Sequence, residues 1–336
     1  MPVFVDWVQF LAPRITPLWK VLVVLWACGE ALAQDKASLD YQLKARALAP
    51  GVYVVEGANA DFSPANGCNV INTGFIETNA GVLVINTGPS RRYGEQLRAL
   101  IAHTTAQPVV QVLHLNLHPD YFLGNQAFAD VPRRATAETR AGIARESASY
   151  ENNLYRLCGD WMKGTETLAP DTTQVTGSWI LGNRHLELRN YQGHTASDLV
   201  LIDRDSGVAF VGGLAFADRI PTTPHANISH WLDSLSQLET GLHTVLPGKQ
   251  LRYVVPSHGP VRADASALQQ TRAYLTWLDR TFRQAAQSGL EMVEVLHTPV
   301  PTAFRDWAAL GTEFTRNVMH LYPRYEAGSL RAASPP

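Results

Sequence analysis

Four short segments constrain this chain more than anything else in it: "NLHPDY" (residues 116–121), "GHTASD" (193–198), "GGLAFADR" (212–219) and "PSHGP" (256–260). Each follows a run with strand character. A fold that sets strand ends side by side gathers such loops at one rim, where α/β proteins assemble their sites. His118, Asp120, His194 and His258 are the imidazole and carboxylate groups these loops offer, a set suited to zinc near neutral pH. Taken singly, each histidine is more often a hydrogen-bonded core or surface residue. Taken together, with glycines beside three of the four loops, they read as one convergent site.

The rest of the chain supplies the strands. "VYVVEG" (52–57), "CNVINTGFIET" (68–78), "GVLVINT" (81–87) and "PVVQVLHLN" (108–116) form a first run, joined by Gly/Asn turns. "HLELRN" (185–190), "DLVLIDRD" (198–205), "GVAFVGG" (207–213) and "RYVVPSH" (252–258) form a second. Between them, "GPSRRYGEQLRALIAH" (88–103) switches to a helical period, with Pro89 at its start and Tyr93, Leu97, Leu100 and Ile101 on one face. A polar, helix-prone insertion spans about 135–164, anchored by Tyr150, Leu154, Tyr155 and Trp161. Residues 229–242 and 264–288 are helical, the latter with a stripe of Leu268, Leu275, Leu278 and Phe282. This order predicts an α/β (α+β) fold of two sheets covered by helices, one domain over 34–330, and a loose tail at 331–336. A 46% hydrophobic content supplies the core, and a net charge of −2 argues against nucleic acid or anionic membrane as a partner.

Residues 1–33 have the order of an export signal. Arg14 and Lys20 precede the apolar run "VLVVLWACG" (21–29), and "ALA" (31–33) offers a small-x-small cleavage site. The run is too short to span a bilayer. Cleavage after Ala33 implies a periplasmic protein with no membrane span. A lipid-modified Cys28 is the alternative, against which Trp26 is bulky. Cys68 and Cys158 remain; in an oxidising compartment they form a bridge, or else are two small buried side chains.

With these loops in order, the chain resembles the metallo-β-lactamase superfamily, whose pattern runs H-x-H-x-D-H, G-H-T-x-x-D, G-D and a final G-H or S-H. The ordered positions match from residue 51 to 260. "GFIETNAGVLVINTGPSRRYGEQLRALI", "HPDYFLGNQAFAD", "RIPTTPHA" and the C-terminal helices resemble more specifically the quinoprotein-relay zinc metallohydrolases, exported proteins linked to quinoprotein dehydrogenase systems. The resemblance implies an αββα sandwich and one or two zinc ions that activate water.

The motif is degenerate. Asn116 stands for the first histidine, Tyr121 for the last, Gly213 for the aspartate that bridges two metals, and Asn86 for a supporting aspartate. His118 and His194 remain of one subsite, Asp120 and His258 of the other, whereas a catalytic zinc keeps three protein ligands. Tyr121 would ligate only as a phenolate. His114 shares a strand face with Asn116 but lies about 6–7 Å further back. His225 follows the Gly213 loop and either reaches the mouth or caps a turn. The other histidines, His320 among them, read as structural. No G-x-S-x-G turn offers a nucleophilic serine.

Two functions follow. One is a weakened hydrolase with a single zinc, in which Asp120 orients water and Asn116 steadies an oxyanion. The other is a non-catalytic protein whose pocket binds a small molecule. Refilling the motif with Asn116→His, Tyr121→His and Gly213→Asp is expected to restore zinc and turnover together.

Overall fold

Alternation along the strands decides which side chains face which layer. The computed structural model describes residues 39–246, 248 and 250–333, so the segment read from sequence as an export signal, Cys28 included, lies outside the described residues. Seven strands form one sheet in sequence order: β1 (Arg46–Ala49), β2 (Val52–Val55), β3 (Thr73–Thr78), β4 (Gly81–Ile85), β5 (Val109–Leu113), β6 (Arg133–Ala135) and β7 (Thr172–Thr173). The first four pair antiparallel and β4 to β7 pair parallel. The second sheet runs β12-β11-β10-β9-β8, from β8 (Gly177–Leu181), β9 (Arg184–Tyr191), β10 (Asp198–Asp203), β11 (Val208–Phe216) and β12 (Tyr253–His258). All its pairs are antiparallel except β11 with β12.

Leu83 and Ile85 of β4 meet Leu199 and Leu201 of β10 and Phe210 of β11 in the core between the sheets. Their neighbours Val82 and Val84 face the other way, onto Tyr93, Leu97 and Ile101 of helix α1 (Arg91–Thr104). Val200, Ile202, Ala209 and Val211 likewise face outward. They pack under α4 (Ile228–Val245), α5 (Ser266–Gln287) and α7 (Leu310–Ala333), which supply Trp231, Leu235, Leu275, Phe282 and Val318. The period of two on each strand and the apolar stripe on each helix thus build an αββα sandwich.

Three expectations change. Pro89 precedes the first helix rather than opening it: Ser90 is the cap, its side chain accepting from the Tyr93 amide. Gly212 and Gly213 lie within β11, not in the loop after it. Residues 331–333 continue α7 instead of forming a loose tail.

The polar insertion is helix α3 (Ala137–Cys158), seated over the site's edge with its Ile143 and Leu154 packed among Leu117, Phe122, Leu123 and Met162. Its last residue, Cys158, is disulfide-bonded to Cys68, across 90 residues of chain. Closing so long a loop removes about 4–5 kcal/mol of chain entropy from the unfolded state. A Cys68→Ala/Cys158→Ala variant is expected to lose up to about that much in denaturant unfolding. Thiol titration of unfolded, unreduced protein should find no free thiol from this pair. Among the described residues no helix is long and apolar enough to cross a membrane.

Candidate functional site

The four segments do meet at one rim. His118, Asp120, His194 and His258 line one cavity of about 730 Å³, walled also by Tyr150 and Glu146 from α3 and by Glu313, Arg316 and His320 from α7. His118 caps the short helix α2 (Pro119–Phe122), which carries Asp120 in its first turn, and His258 ends β12.

Asn116 is buried and does not line the cavity. Its amide nitrogen donates to Asp198 Oδ1 at 2.6 Å and reaches His194 Nδ1 at 3.1 Å. Its oxygen accepts from the His118 backbone N–H at 2.9 Å. Both N–H groups are therefore spent on tying the first loop to the second. The oxyanion role expected of Asn116 fails for this reason. Asp198 Oδ1 already takes Asn116 and the Thr195 hydroxyl. His194 Nδ1 thus lies between the Asn116 amide at 3.1 Å and the Asp198 carboxylate at 3.3 Å, and as a donor to that carboxylate it leaves the Nε2 lone pair free.

The missing side chain at position 213 explains where His194 lies. A Cβ built on Gly213 would come within 1.9 Å of His194 Nδ1 and 2.6 Å of its Cε1. The imidazole fills the space a carboxylate stem would take. It is held there by rings: His118 stacks on it with centroids 4.7 Å apart, Trp231 lies at 5.0 Å and Phe216 at 5.5 Å. Gly193 makes this possible. Its φ of +138° suits glycine, and a Cβ there would meet the Trp231 backbone at 2.2 Å.

On the other side, His258 Nδ1 donates to the Val70 carbonyl at 2.8 Å, so Nε2 keeps its lone pair and faces Asp120 Oδ2 at 3.5 Å. Burial pushes the Asp120 carboxyl up to about 6. Burial drives His118 and His258 well below the usual imidazole range, helped by His194 beside His118 and by Arg219 beside His258. The floor is a set of neutral imidazoles around a carboxyl that is costly to ionise.

These residues have the right chemistry for zinc. Nε2 of His118, Nε2 of His194 and Oδ2 of Asp120 are buried without hydrogen-bond partners. Yet among the described residues no three His, Cys, Asp or Glu side chains come together to hold one ion. His194 Nδ1 lies in the Gly213 gap while its Nε2 stays unpartnered, so the four candidate ligands are gathered at the cavity without forming a three-ligand centre.

The accessory residues divide. Tyr121 lines the cavity, and burial, with the nearby Asp120, raises its phenol well above the usual tyrosine range. His114 is fully buried, makes a 3.1 Å bond from Nδ1 to the Tyr121 carbonyl and does not reach the cavity. His225 does reach it, with Nε2 at 3.0 Å from Glu146 Oε2 and 3.1 Å from the Tyr150 hydroxyl. His320, read from sequence as structural, also lines the cavity, as do Arg219, Glu146 and Glu313, for which no role was legible in the sequence. Glu313, Arg316 and His320 recur at i, i+3 and i+7 on a helix, a spacing that groups them on one face.

One test follows from Asp120. Its carboxyl titrates at about 6 in the fold against 3.8 unperturbed. A raised carboxyl pKa favours the fold most below the unfolded value, and that advantage is lost as pH rises from about 4 through about 6. At pH 7 the ionised group is therefore a liability of about 2–3 kcal/mol. Asp120→Asn is expected to raise stability at pH 7 and to flatten the pH dependence between 4 and 6. Destabilisation at pH 7 would mean that the carboxylate has a cationic partner.

No protein-family model and no curated protein matches the chain in sequence. Solved structures do match. A metallo-β-lactamase from Pontibacter korlensis superposes with a TM-score of 0.56 at 23% identity, over 70% of this chain and 99% of its own. The FIM-1 metallo-β-lactamase of Pseudomonas aeruginosa, solved in a mono-zinc form, gives 0.54 at 16% identity, over 70% and 95%. A metallo-β-lactamase from Hirschia baltica gives 0.52 at 18%, over 70% and 97%. At this identity the likeness speaks for architecture, and it agrees with the layers and loops described above: the chain has the metallo-β-lactamase fold.

Proposed function

We propose that this protein is an exported, ligand-binding member of its fold in which the metal centre has been dismantled and zinc-dependent hydrolysis is weak or absent. The observation that carries this reading is the His194 imidazole in the space above Gly213, bonded to Asn116 and stacked on His118. Two of the lost ligand positions have been rebuilt as packing, which is more than a loss of affinity. The Cys68–Cys158 bridge supports export, because such bridges persist in oxidising compartments. A link to quinoprotein dehydrogenase systems rests on the sequence resemblance alone.

The test is hydrolysis of chromogenic lactam and ester substrates with and without added zinc. The expected result is no zinc-dependent rate above that of buffer with zinc. Zinc-dependent turnover that is lost in His118→Ala would overturn the proposal.

A second reading has one observation in its favour. His258 Nε2 and Asp120 Oδ2 face each other as two acceptors at 3.5 Å. Such a pair suits one weakly held ion, as in a hydrolase with a single impaired zinc. The Asp120→Asn experiment, repeated with zinc present, separates the two: a gain in stability that zinc does not alter supports the dismantled site.

A further inference from the structure

The cavity wall also carries an unused pair of opposite charges. Arg219 and Glu313 have side chains only 1% and 2% exposed, and their closest contact is a long one, Nη2 to Oε1 at 3.7 Å. Arg219 Nε donates to the Ala60 carbonyl at 3.1 Å, while Nη1 has no hydrogen-bond partner. Glu313 Oε1 accepts from Arg316 Nη1 at 2.9 Å, while Oε2 has none. Both residues line the cavity. A buried guanidinium nitrogen and a buried carboxylate oxygen without partners are each costly. One wall therefore offers a donor for an anion and, beside it, an acceptor for a cation.

From this geometry we infer that the cavity takes a small zwitterion with an apolar side chain, an α-amino acid in chemical class, its carboxylate on Arg219 and its ammonium on Glu313. The charges fit that class. Arg219 and Arg316 are balanced by Glu313 and Asp61, the latter bonded to Arg316 Nη1 at 2.9 Å. A ligand of zero net charge leaves the balance of these four groups unchanged, whereas a plain anion or cation would shift it by one charge. The cavity's 730 Å³ lies within the range of small-molecule sites, and Phe62, Tyr150, Leu154 and Leu157 give it an apolar side. The inference deepens the proposed binding role and rests on that reading for the cavity being the ligand site.

The test uses three probes of one skeleton in titration calorimetry on the full oxidised protein: L-phenylalanine, 3-phenylpropionate with only the carboxylate, and phenethylamine with only the ammonium. L-Phenylalanine is expected to bind at least about tenfold more tightly than either single-charge probe. Arg219→Gln and Glu313→Gln should each weaken it by a similar factor. Because both residues are buried and their variants can unfold, Asn153→Trp provides the second arm. Asn153 is exposed on α3 at the cavity's edge, so a tryptophan there closes the mouth and should abolish binding without disturbing the core. Equal binding of 3-phenylpropionate, no binding of any probe, or binding indifferent to Asn153→Trp would each overturn the inference. A parallel zinc assay keeps the two ideas apart: zinc-dependent turnover alongside amino-acid binding refutes the dismantled centre alone, and neither turnover nor binding refutes the zwitterion alone.

Discussion

Gly213→Asp is expected to cost about 3–5 kcal/mol of stability and to recruit no metal by itself. The new Cβ would stand 1.9 Å from His194 Nδ1, and that ring has little room to leave. His118 and Trp231 flank it at centroid distances of 4.7 and 5.0 Å, and Asn116 bonds to it. The carboxylate would also arrive unpaired in a buried site whose existing carboxyl is already pushed up to about 6. The measurement is the denaturant midpoint at unchanged slope, with zinc content read in parallel. A variant as stable as the parent would show that His194 moves freely. The Asn116→His, Tyr121→His, Gly213→Asp combination, which from sequence should restore the site, inherits this obstacle and adds two more. Asn116 holds Asp198 and the His118 backbone, and Tyr121 packs in the core between the sheets. The expectation that refilling three positions restores turnover is therefore withdrawn on steric grounds.

Trp231→Ala is the second large effect, again about 3–5 kcal/mol. The side chain is fully buried, donates from Nε1 to the Leu214 carbonyl at 3.0 Å, and packs with Phe216 and His194. Truncation removes a large apolar contact, leaves the Leu214 carbonyl without that donor and opens a void beside His194. Because the indole helps hold His194 over Gly213, the same variant should broaden or shift the His194 imidazole signals in NMR. A loss below about 1 kcal/mol with an unchanged His194 would mean that the ring is held by Asn116 alone.

Much of this fold is legible in the chain because its strands are buried on both faces or alternate cleanly. The runs that became β2 to β5 and β9 to β12 stand out as apolar segments ended by Gly, Asn or Asp. β8 escaped notice because it is a sheet edge whose burial is only partial along its length, and β6 and β7 are two or three residues long. At the site, His118, Asp120, His194 and His258 were legible because their loops follow strands. What those residues do was not. The position of His194 depends on a side chain that is absent at residue 213, and a glycine in a sequence does not say what fills its space. Arg219 and Glu313 lie 94 residues apart, and only the packing of α7 against the rim brings them together.

The measurement that bears most directly on the proposed loss of the metal centre is the zinc content of protein purified without added metal and dialysed against a mild chelator. A site with two ligands per subsite should retain far less than one equivalent. One or two zinc ions per chain that survive dialysis would contradict the account, and would assign the unpartnered Nε2 atoms of His118 and His194 to an ion.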